Sequence, residues 1–206
     1  MVEFPKTVRV GCFDYDVIFP YKFVEADDRT AQHSYYDLDI RIAGEYKKKR
    51  NDDKLIVSFL HELIHAIDYS YSFLMFEEEH VNALANLIFQ FLRENLTEDK
   101  WEVKKGSSLN ILGHKFKIEY GIEFEELDDF VSRVDHDECI IYVSKTAKKK
   151  SMIRAFVFMH VISCFDNMVS LGLENNLIDR FAFAFVDTMD RNNLWKLFRK
   201  NKRKGK

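Results

Sequence analysis

The residue types and spacing that could do chemistry are concentrated in one short segment, His61-Glu62-Leu63-Ile64-His65. On a helix, residues four apart lie on the same face one turn apart, so His61 and His65 can bind a single metal ion. Glu62 would then lie beside the metal, where a general base can take a proton from a zinc-bound water. We therefore predict that His61 and His65 are zinc ligands and that Glu62 is catalytic. The alternative is an ordinary helix on which all three side chains face solvent.

The neighbouring residues favour the metal site over that alternative. They are uncharged, so the two histidines and the glutamate are polar exceptions on a largely apolar helix; these neighbours are Leu60, Leu63, Ile64, Ala66 and Ile67. Burying polar groups without partners is costly, and a bound metal ion would supply the partner.

A catalytic zinc ion usually has three protein ligands and one open position, so a third ligand is expected nearby. The acidic run Glu77-Glu78-Glu79 follows the first helix, and we expect Glu78 to be that ligand. Glu79 stays an alternative, and His80 is a weaker one. Negative charge at the start of a helix would also explain the acidic run without any metal.

Further residues are candidates for supporting roles around the metal. Asn82 is one turn beyond Glu78 and could hydrogen-bond a ligating histidine. Asp68 is two turns from His61, too far for a shared ion on a straight helix, so we assign it a supporting role. Four tyrosines could supply a phenol to a developing oxyanion, although none can be singled out: Tyr35, Tyr36, Tyr69 and Tyr71.

Local patterns predict the elements that position these residues. The run from Val8 to Phe19 is typical of a strand or tight hairpin, and Tyr35 to Ile42 alternates as a second strand would. Leu55 to Tyr71 has the four-residue spacing of an amphipathic helix. A second helix is predicted from the acidic run to Asn95. The first half is therefore predicted as β, β, α, α.

The second half resembles the first, which predicts a tandem duplication. Four segments match in order: Val8–Val17 with Leu109–Ile118, Asp37–Ile40 with Asp137–Ile140, Phe59–His61 with Phe158–His160, and Val81–Ala85 with Ile178–Ala182. We predict an α+β fold with one β-β-α-α unit in residues 1–98 and a degenerate copy in residues 99–206. The alternative is a single α+β domain with two similar helix pairs.

The second copy lacks most of the residues that could do chemistry. His61 corresponds to His160, but Glu62, His65 and Glu78 correspond to Val161, Cys164 and Asn175. Without a base or a third ligand, His160 and Cys164 are expected to be packing residues. The second half would then be a pseudo-enzyme module that covers the substrate cleft, binds the target protein or replaces a homodimer partner.

Composition adds constraints on location and partners. The 34 acidic and 31 basic residues nearly balance, so no overall charge points to nucleic acid or to a membrane surface. We find no leader-like start and no uninterrupted apolar run of spanning length. Three widely spaced cysteines suit a reducing compartment, so we expect a cytoplasmic protein, in the host cytoplasm if the gene is viral.

The C-terminus carries a compact basic tail whose charged residues are Lys196, Arg199, Lys200, Lys202, Arg203, Lys204 and Lys206. A short terminal run of charge is usually solvated. Nucleic-acid binding through this tail is a third possibility, which predicts salt-dependent association that is lost on truncation after Leu194.

From residue 8 to about residue 95 the chain resembles the small HExxH metallopeptidase-like proteins of phages and prophages, near the ImmA/IrrE-like group of zincins. The resemblance rests on His61-Glu62-Leu63-Ile64-His65 followed by the segment from Glu78 to Asn86. It implies a zinc endopeptidase-like fold, two histidine ligands, a glutamate ligand from the second helix and Glu62 as base. This chain departs from that group by lacking a recognisable helix-turn-helix and by carrying a degraded second copy.

The sequence therefore predicts a zinc-dependent metallopeptidase that hydrolyses a peptide bond in a specific protein target. We expect a Zn²⁺ cofactor, a protein or peptide substrate, and no membrane or nucleic-acid partner. The alternative is a catalytically inactive, phage-encoded adaptor or inhibitor that keeps a structural zinc and binds a host protein through its second half.

Overall fold

The chain folds into two similar halves, each with a four-stranded sheet and two helices. The computed structural model describes residues 2–24, 29–45, 51–71, 76–96, 101–124 and 131–199. The first half contains β1 (Thr7–Val10), β2 (Phe13–Tyr21), β3 (Ala31–Ser34), β4 (Asp39–Ala43), α1 (Asp52–Ser70) and α2 (Glu78–Asn95).

The second half repeats this order and adds a short helix. Its elements are β5 (Ser108–Ile111), β6 (His114–Ile122), β7 (Ser132–Asp135), β8 (Ile140–Ser144), α3 (Lys150–Val169), α4 (Asn175–Arg191) and a 3₁₀ helix (Leu194–Phe198). The predicted α+β class is confirmed. Each half has four strands where two strand units were predicted, so the repeated unit is β-β-β-β-α-α.

The two sheets have the same topology. The strand order is β1-β2-β4-β3 in the first and β5-β6-β8-β7 in the second. In each, the first two strands form an antiparallel hairpin, the central pair is parallel and the last pair is antiparallel. Strand β3 is therefore an edge strand, and it contacts α1, the helix that carries His61 and His65.

The prediction of one continuous strand from Tyr35 to Ile42 was wrong. A polar turn interrupts it: the Ser34 hydroxyl donates to Asp37 Oδ2 at 3.0 Å and accepts from the Asp37 main-chain N–H at 3.1 Å. Leu38 completes the turn with φ of 52°. Because the turn reverses the chain, β3 and β4 pair as neighbours, and Tyr35 is the first residue of the turn after the edge strand.

The two site helices begin with different caps. The Asn51 side chain accepts from the Lys54 main-chain N–H at 3.2 Å and starts α1, where Asp52 and Asp53 add favourable negative charge. Glu77 caps α2, and the His80 ring accepts from the Glu77 main-chain N–H at 3.2 Å. The cap fixes Glu78 as the first residue of α2.

Backbone register supports the duplication and corrects one predicted match. Asp39 pairs with Asp16 on β2, and Ile140 pairs with Lys117 on β6, so Asp39 corresponds to Ile140. Leu38 corresponds to Cys139, and both have the same left-handed φ, 52° and 53°. The match of Asp37–Ile40 with Asp137–Ile140 was therefore wrong by one residue.

Two reciprocal asparagine contacts join the halves. The Asn95 side chain at the end of α2 donates to the Asn110 main-chain carbonyl and accepts from the Asn110 N–H, both at 2.7 Å. The Asn192 side chain, just after α4, donates to the Arg9 carbonyl at 2.8 Å and accepts from the Arg9 N–H at 2.7 Å. Each half thus binds the first strand of the other in the same way, which is the arrangement of a two-fold symmetric dimer.

The halves also share one hydrophobic core. Trp101, in the connection between them, packs edge-on against Phe91 of α2 at 5.5 Å and against Phe158 of α3 at 6.1 Å between ring centroids. The predicted boundary near residue 98 lies outside the described residues, next to Trp101. A cut there would expose this buried aromatic cluster to water.

Helix α3 is the central helix of the second half. By length and composition it is the one described helix that could cross a membrane, which the sequence analysis did not expect. In the structure its apolar residues pack against β5, β7, β8 and α4. All three cysteines are free. The basic tail begins within the 3₁₀ helix (Leu194–Phe198), in which Trp195 is buried. Its last residues, 200–206, lie outside the described residues.

Candidate active site

Three side chains of the first half converge on one point. His61 Nε2 and His65 Nε2 are 3.1 Å apart. Glu78 Oε1 lies 3.2 Å from His61 Nε2, and Glu78 Oε2 lies 3.1 Å from His65 Nε2. The described residues contain no other group of three or more potential metal donors this close together.

The distances between these donor atoms are close to those of a tetrahedral zinc site, with each histidine nitrogen nearest a different Glu78 oxygen. Zinc–nitrogen and zinc–oxygen bonds of about 2.0–2.1 Å give donor-to-donor distances of about 3.3–3.4 Å in a tetrahedron. Direct hydrogen bonds explain the contacts less well, because a neutral imidazole has one N–H, which points to one acceptor. The residues present therefore fit a divalent metal with a fourth, open position.

Helix geometry brings the three donors together. His61 and His65 are one turn apart on the same face of α1, which packs against α2. Glu78 is the first residue of α2 and points back towards that face. The Glu78 side chain is 65% exposed, so its position between the histidines depends on polar contacts and not on packing.

Asn82 supplies such a contact. Its side-chain amide donates to Glu78 Oε1 at 3.2 Å and to the Glu78 main-chain carbonyl at 2.9 Å. It also hydrogen-bonds His61. Burial and His65 lower the pKa of His61, and the charge of Glu78 and then this hydrogen bond partly offset that lowering. Asn82 thus contacts two of the three side chains. A hydrogen bond to one of the histidines was predicted from the sequence, and the contact with Glu78 was not.

The competing ligands lie elsewhere. His80 caps α2 through its ring nitrogen. Glu79 is exposed and does not line the cleft that contains the donors, whereas Glu78 does. Asp68 is buried in the cleft wall, where its predicted supporting role stays a prediction.

Glu62 lies in the same cleft, next to His61 in sequence and almost fully buried. Burial raises the pKa of its carboxyl to about 7, and the charge of Glu78 acts in the same direction. A hydrogen bond with the His33 main chain and the charge of Arg29 lower this pKa in part. A carboxylate of this kind is suited to exchanging protons near neutral pH.

His33 is a residue of the site that no sequence pattern predicted. It lies on edge strand β3, and its main chain holds the Glu62 carboxylate in place. Its ring packs 5.3 Å from Tyr15, and burial lowers its pKa to about 4. No local spacing marks this residue, because its role depends on β3 lying beside α1.

The cleft is a trough of about 660 Å³ lined by β3, by α1 and by the first turns of α2. At one end Thr30 Oγ1 lies 2.9 Å from Ser58 Oγ, and at the other the Tyr35 ring stacks on Tyr69 at 4.9 Å. Five strand residues and eleven helical residues both span about 16 Å, so β3 and α1 run side by side along the trough. The donors lie between the two ends.

The four tyrosines have different positions. Tyr35 and Tyr69 line the trough. Tyr36 is 85% exposed and packs on Tyr35 at 4.2 Å between ring centroids, outside the trough. Tyr71 donates to Asp187 Oδ2 of the second half at 3.1 Å. That hydrogen bond links the two halves and leaves Tyr71 outside the trough lining.

In the second half the corresponding positions are closed. His160 is buried, and its Nε2 lies 2.9 Å from Ser132 Oγ. Cys164 is also buried, and its Sγ lies 3.9 Å from Nδ1 of His136, the residue that follows β7. Burial raises the pKa of the Cys164 thiol to about 12. The structure therefore agrees with the expectation that these two residues are packing residues.

Comparisons with known proteins found no match to this chain. No protein-family model matches it, and neither a curated protein nor a solved structure matches it. The case for function therefore depends on the geometry of the site.

Proposed function

We propose that this chain is a zinc-dependent metallopeptidase with a zincin-like active site in its first half. The convergence of His61, His65 and Glu78 carries the proposal: the two imidazole nitrogens are 3.1 Å apart, and each lies 3.1–3.2 Å from one oxygen of the Glu78 carboxylate. When bound there, zinc would polarise a carbonyl and acidify a water. Imidazole and carboxylate donors with one open position are typical of catalytic zinc sites.

Glu62 supplies the group that moves the proton. Its carboxylate is held by the His33 main chain and faces the trough beside the donors. In the proposed reaction, Glu62 takes a proton from the attacking water and delivers it to the leaving amine as the peptide bond breaks. The open trough has room for an extended peptide next to this carboxylate.

The second half is proposed to replace the partner of a homodimer. Asn95 and Asn192 make equivalent contacts across the two halves, and the counterparts of His61 and His65 are buried. A half that contributes interface but no site has the role of a structural partner. A protein-binding role for the same half, as an adaptor would need, is the competing proposal.

Cleavage of a peptide library tests the proposal directly. Zinc-loaded wild type and Glu62→Gln would be incubated with proteome-derived peptides, and new termini would be identified by mass spectrometry. We expect Glu62→Gln to form cleavage products at a rate about 10²- to 10⁴-fold lower than wild type, and to contain as much zinc as wild type. Equal products from both proteins would contradict the mechanism.

A capture experiment separates the enzyme from the adaptor. Glu62→Gln should retain an intact protein that wild type cleaves and releases. An adaptor should retain the same intact protein in both forms.

A further inference from the structure

A row of four aromatic side chains begins at one end of the trough, which Tyr35 and Tyr69 line, and continues outside it. Tyr35 is central, stacked on Tyr69 at 4.9 Å and packed on Tyr36 at 4.2 Å between ring centroids. Phe13 extends the row beyond Tyr69 at 6.4 Å. We call these four residues the aromatic strip. Its three tyrosines are exposed: Tyr35 by 43%, Tyr36 by 85% and Tyr69 by 37%.

The strip is next to the metal donors. Tyr69 is one helical turn beyond His65 and two beyond His61 on the same face of α1, which is about 6 Å and 12 Å along the axis. An extended peptide spans about 3.3 Å per residue. A side chain over Tyr69 would therefore belong to a residue within about two positions of the one over His65.

The second half provides an internal comparison for the strip. At the strip positions it has His114, His136, Asp137 and Met168 in place of Phe13, Tyr35, Tyr36 and Tyr69. None of these four positions holds Phe or Tyr in the half that also lacks the base and two of the three donors, and two of them hold the smaller, polar ring of histidine.

Core positions of the same elements behave differently. Tyr15 corresponds to Phe116, Phe59 to Phe158 and Ile40 to Ile141, and all six side chains are buried. The fold therefore keeps large apolar side chains where it needs them, and it forms in the second half without the strip. The aromatic strip accompanies the chemical site and not the fold.

We propose that the aromatic strip is the subsite that binds an aromatic side chain of the peptide substrate close to the bond that is cleaved. This inference rests on the proposed function, because it assigns a substrate preference to that site. Tyrosine faces favour offset or edge-on contacts with another aromatic ring. Stacked tyrosines lose little conformational freedom on binding, which favours their use as a recognition surface.

Amino-acid hydroxamates test the subsite without any cleavage. Such a compound binds zinc through its hydroxamate group, and its side chain then reports on the neighbouring surface. We would measure by calorimetry the Kd of L-phenylalanine hydroxamate and of L-alanine hydroxamate for the zinc-loaded full chain. We expect the phenylalanine compound to bind about tenfold more tightly.

Two variants and a control identify the residues responsible. Tyr69→Met introduces the residue that the second half carries at this position, and Tyr35→Ser removes the central ring. Each should reduce the preference to about twofold or less while the alanine compound binds as before. Tyr142→Met, at a half-buried tyrosine of the second sheet, should keep the full preference.

The possible failures are distinguishable. Equal affinities for the two hydroxamates in wild type would overturn the subsite while leaving the metal centre in place. Binding of neither compound to the zinc-loaded chain would overturn the metal centre and the subsite with it. Equal affinities together with a dimer in sedimentation, broken by Tyr69→Met, would show that a second copy covers the strip instead.

Discussion

Replacing Asn82 with alanine should weaken zinc binding without weakening the fold. Asn82 is exposed, and its amide donates at 3.2 Å to Glu78 Oε1. This oxygen belongs to the carboxylate that faces His61 and His65. Asn82 also hydrogen-bonds His61. Without Asn82, the exposed Glu78 side chain would have to be ordered by the metal alone. Loss of a group that orients metal ligands typically costs about 10- to 100-fold in affinity, or about 1.4–2.7 kcal/mol.

The neighbouring asparagine offers a matched control. Asn86 is one turn further along α2 and is also exposed, and its amide donates to the Asn82 main-chain carbonyl at 2.7 Å. Asn86→Ala therefore makes the same chemical change on the same helix face. Since alanine favours helix, neither variant should be less stable without metal by more than about 1 kcal/mol.

A competition titration against a chromophoric chelator at fixed pH would measure the zinc Kd of the three proteins. The account predicts a Kd for Asn82→Ala that is raised 10- to 100-fold, and a Kd for Asn86→Ala within about twofold of wild type. Equal Kd values for the two variants would refute the reasoning, because they would show that Glu78 is not oriented through Asn82.

Two further predictions concern the assembly of the halves and the response to pH. Asn192→Ala removes two hydrogen bonds between the halves. It should lower the free energy of unfolding by about 1–3 kcal/mol, or Tm by roughly 2–7 °C, and calorimetry should still show one transition. Two separate transitions would count against a shared core. Burial lowers the pKa of His160 to about 4, below the ordinary value of about 6.5 that holds in the unfolded chain. The unfolded chain therefore binds the proton at a higher pH than the folded chain. The stability that is present above pH 6.5 is lost as the pH falls towards 4. Between pH 7 and pH 5, wild type should therefore lose about 2 kcal/mol more than His160→Gln in urea denaturation, and equal losses would contradict a buried neutral His160.

Local sequence patterns were sufficient to predict the helices of the first half and the proximity of His61, His65 and Glu78. The spacing of His61 and His65 specifies their shared face as soon as α1 is a helix. Glu78 could be chosen because the acidic run both starts a helix and follows the motif closely. These features depend on contacts within about 20 residues, which periodicity and capping rules describe well.

The features that sequence patterns missed depend on contacts between distant strands. The turn at Ser34 and Asp37 lies inside an alternating run that imitates one strand. The parallel pairing of β2 with β4 makes β3 the edge strand beside α1. That placement brings His33 to Glu62 and Tyr35 to Tyr69, and no periodicity within one segment encodes either contact.

The internal repeat gave information that a single copy would not. The matched pairs showed which positions the fold keeps, such as Phe59 and Phe158, and which only the first half keeps, such as Tyr69. The one-residue error at Asp37 arose because a charged turn was aligned by residue type. Backbone register, which pairs Asp39 with Asp16 and Ile140 with Lys117, corrected it.

The zinc content of the purified chain decides whether His61, His65 and Glu78 form a metal centre. Wild type, His61→Ala and His114→Ala would be compared, since His114 is an exposed histidine of the second half that lies outside the donor group. The account predicts about one zinc per chain in wild type and in His114→Ala, and little in His61→Ala. No zinc in wild type, or equal zinc in all three proteins, would contradict a metal centre at His61, His65 and Glu78.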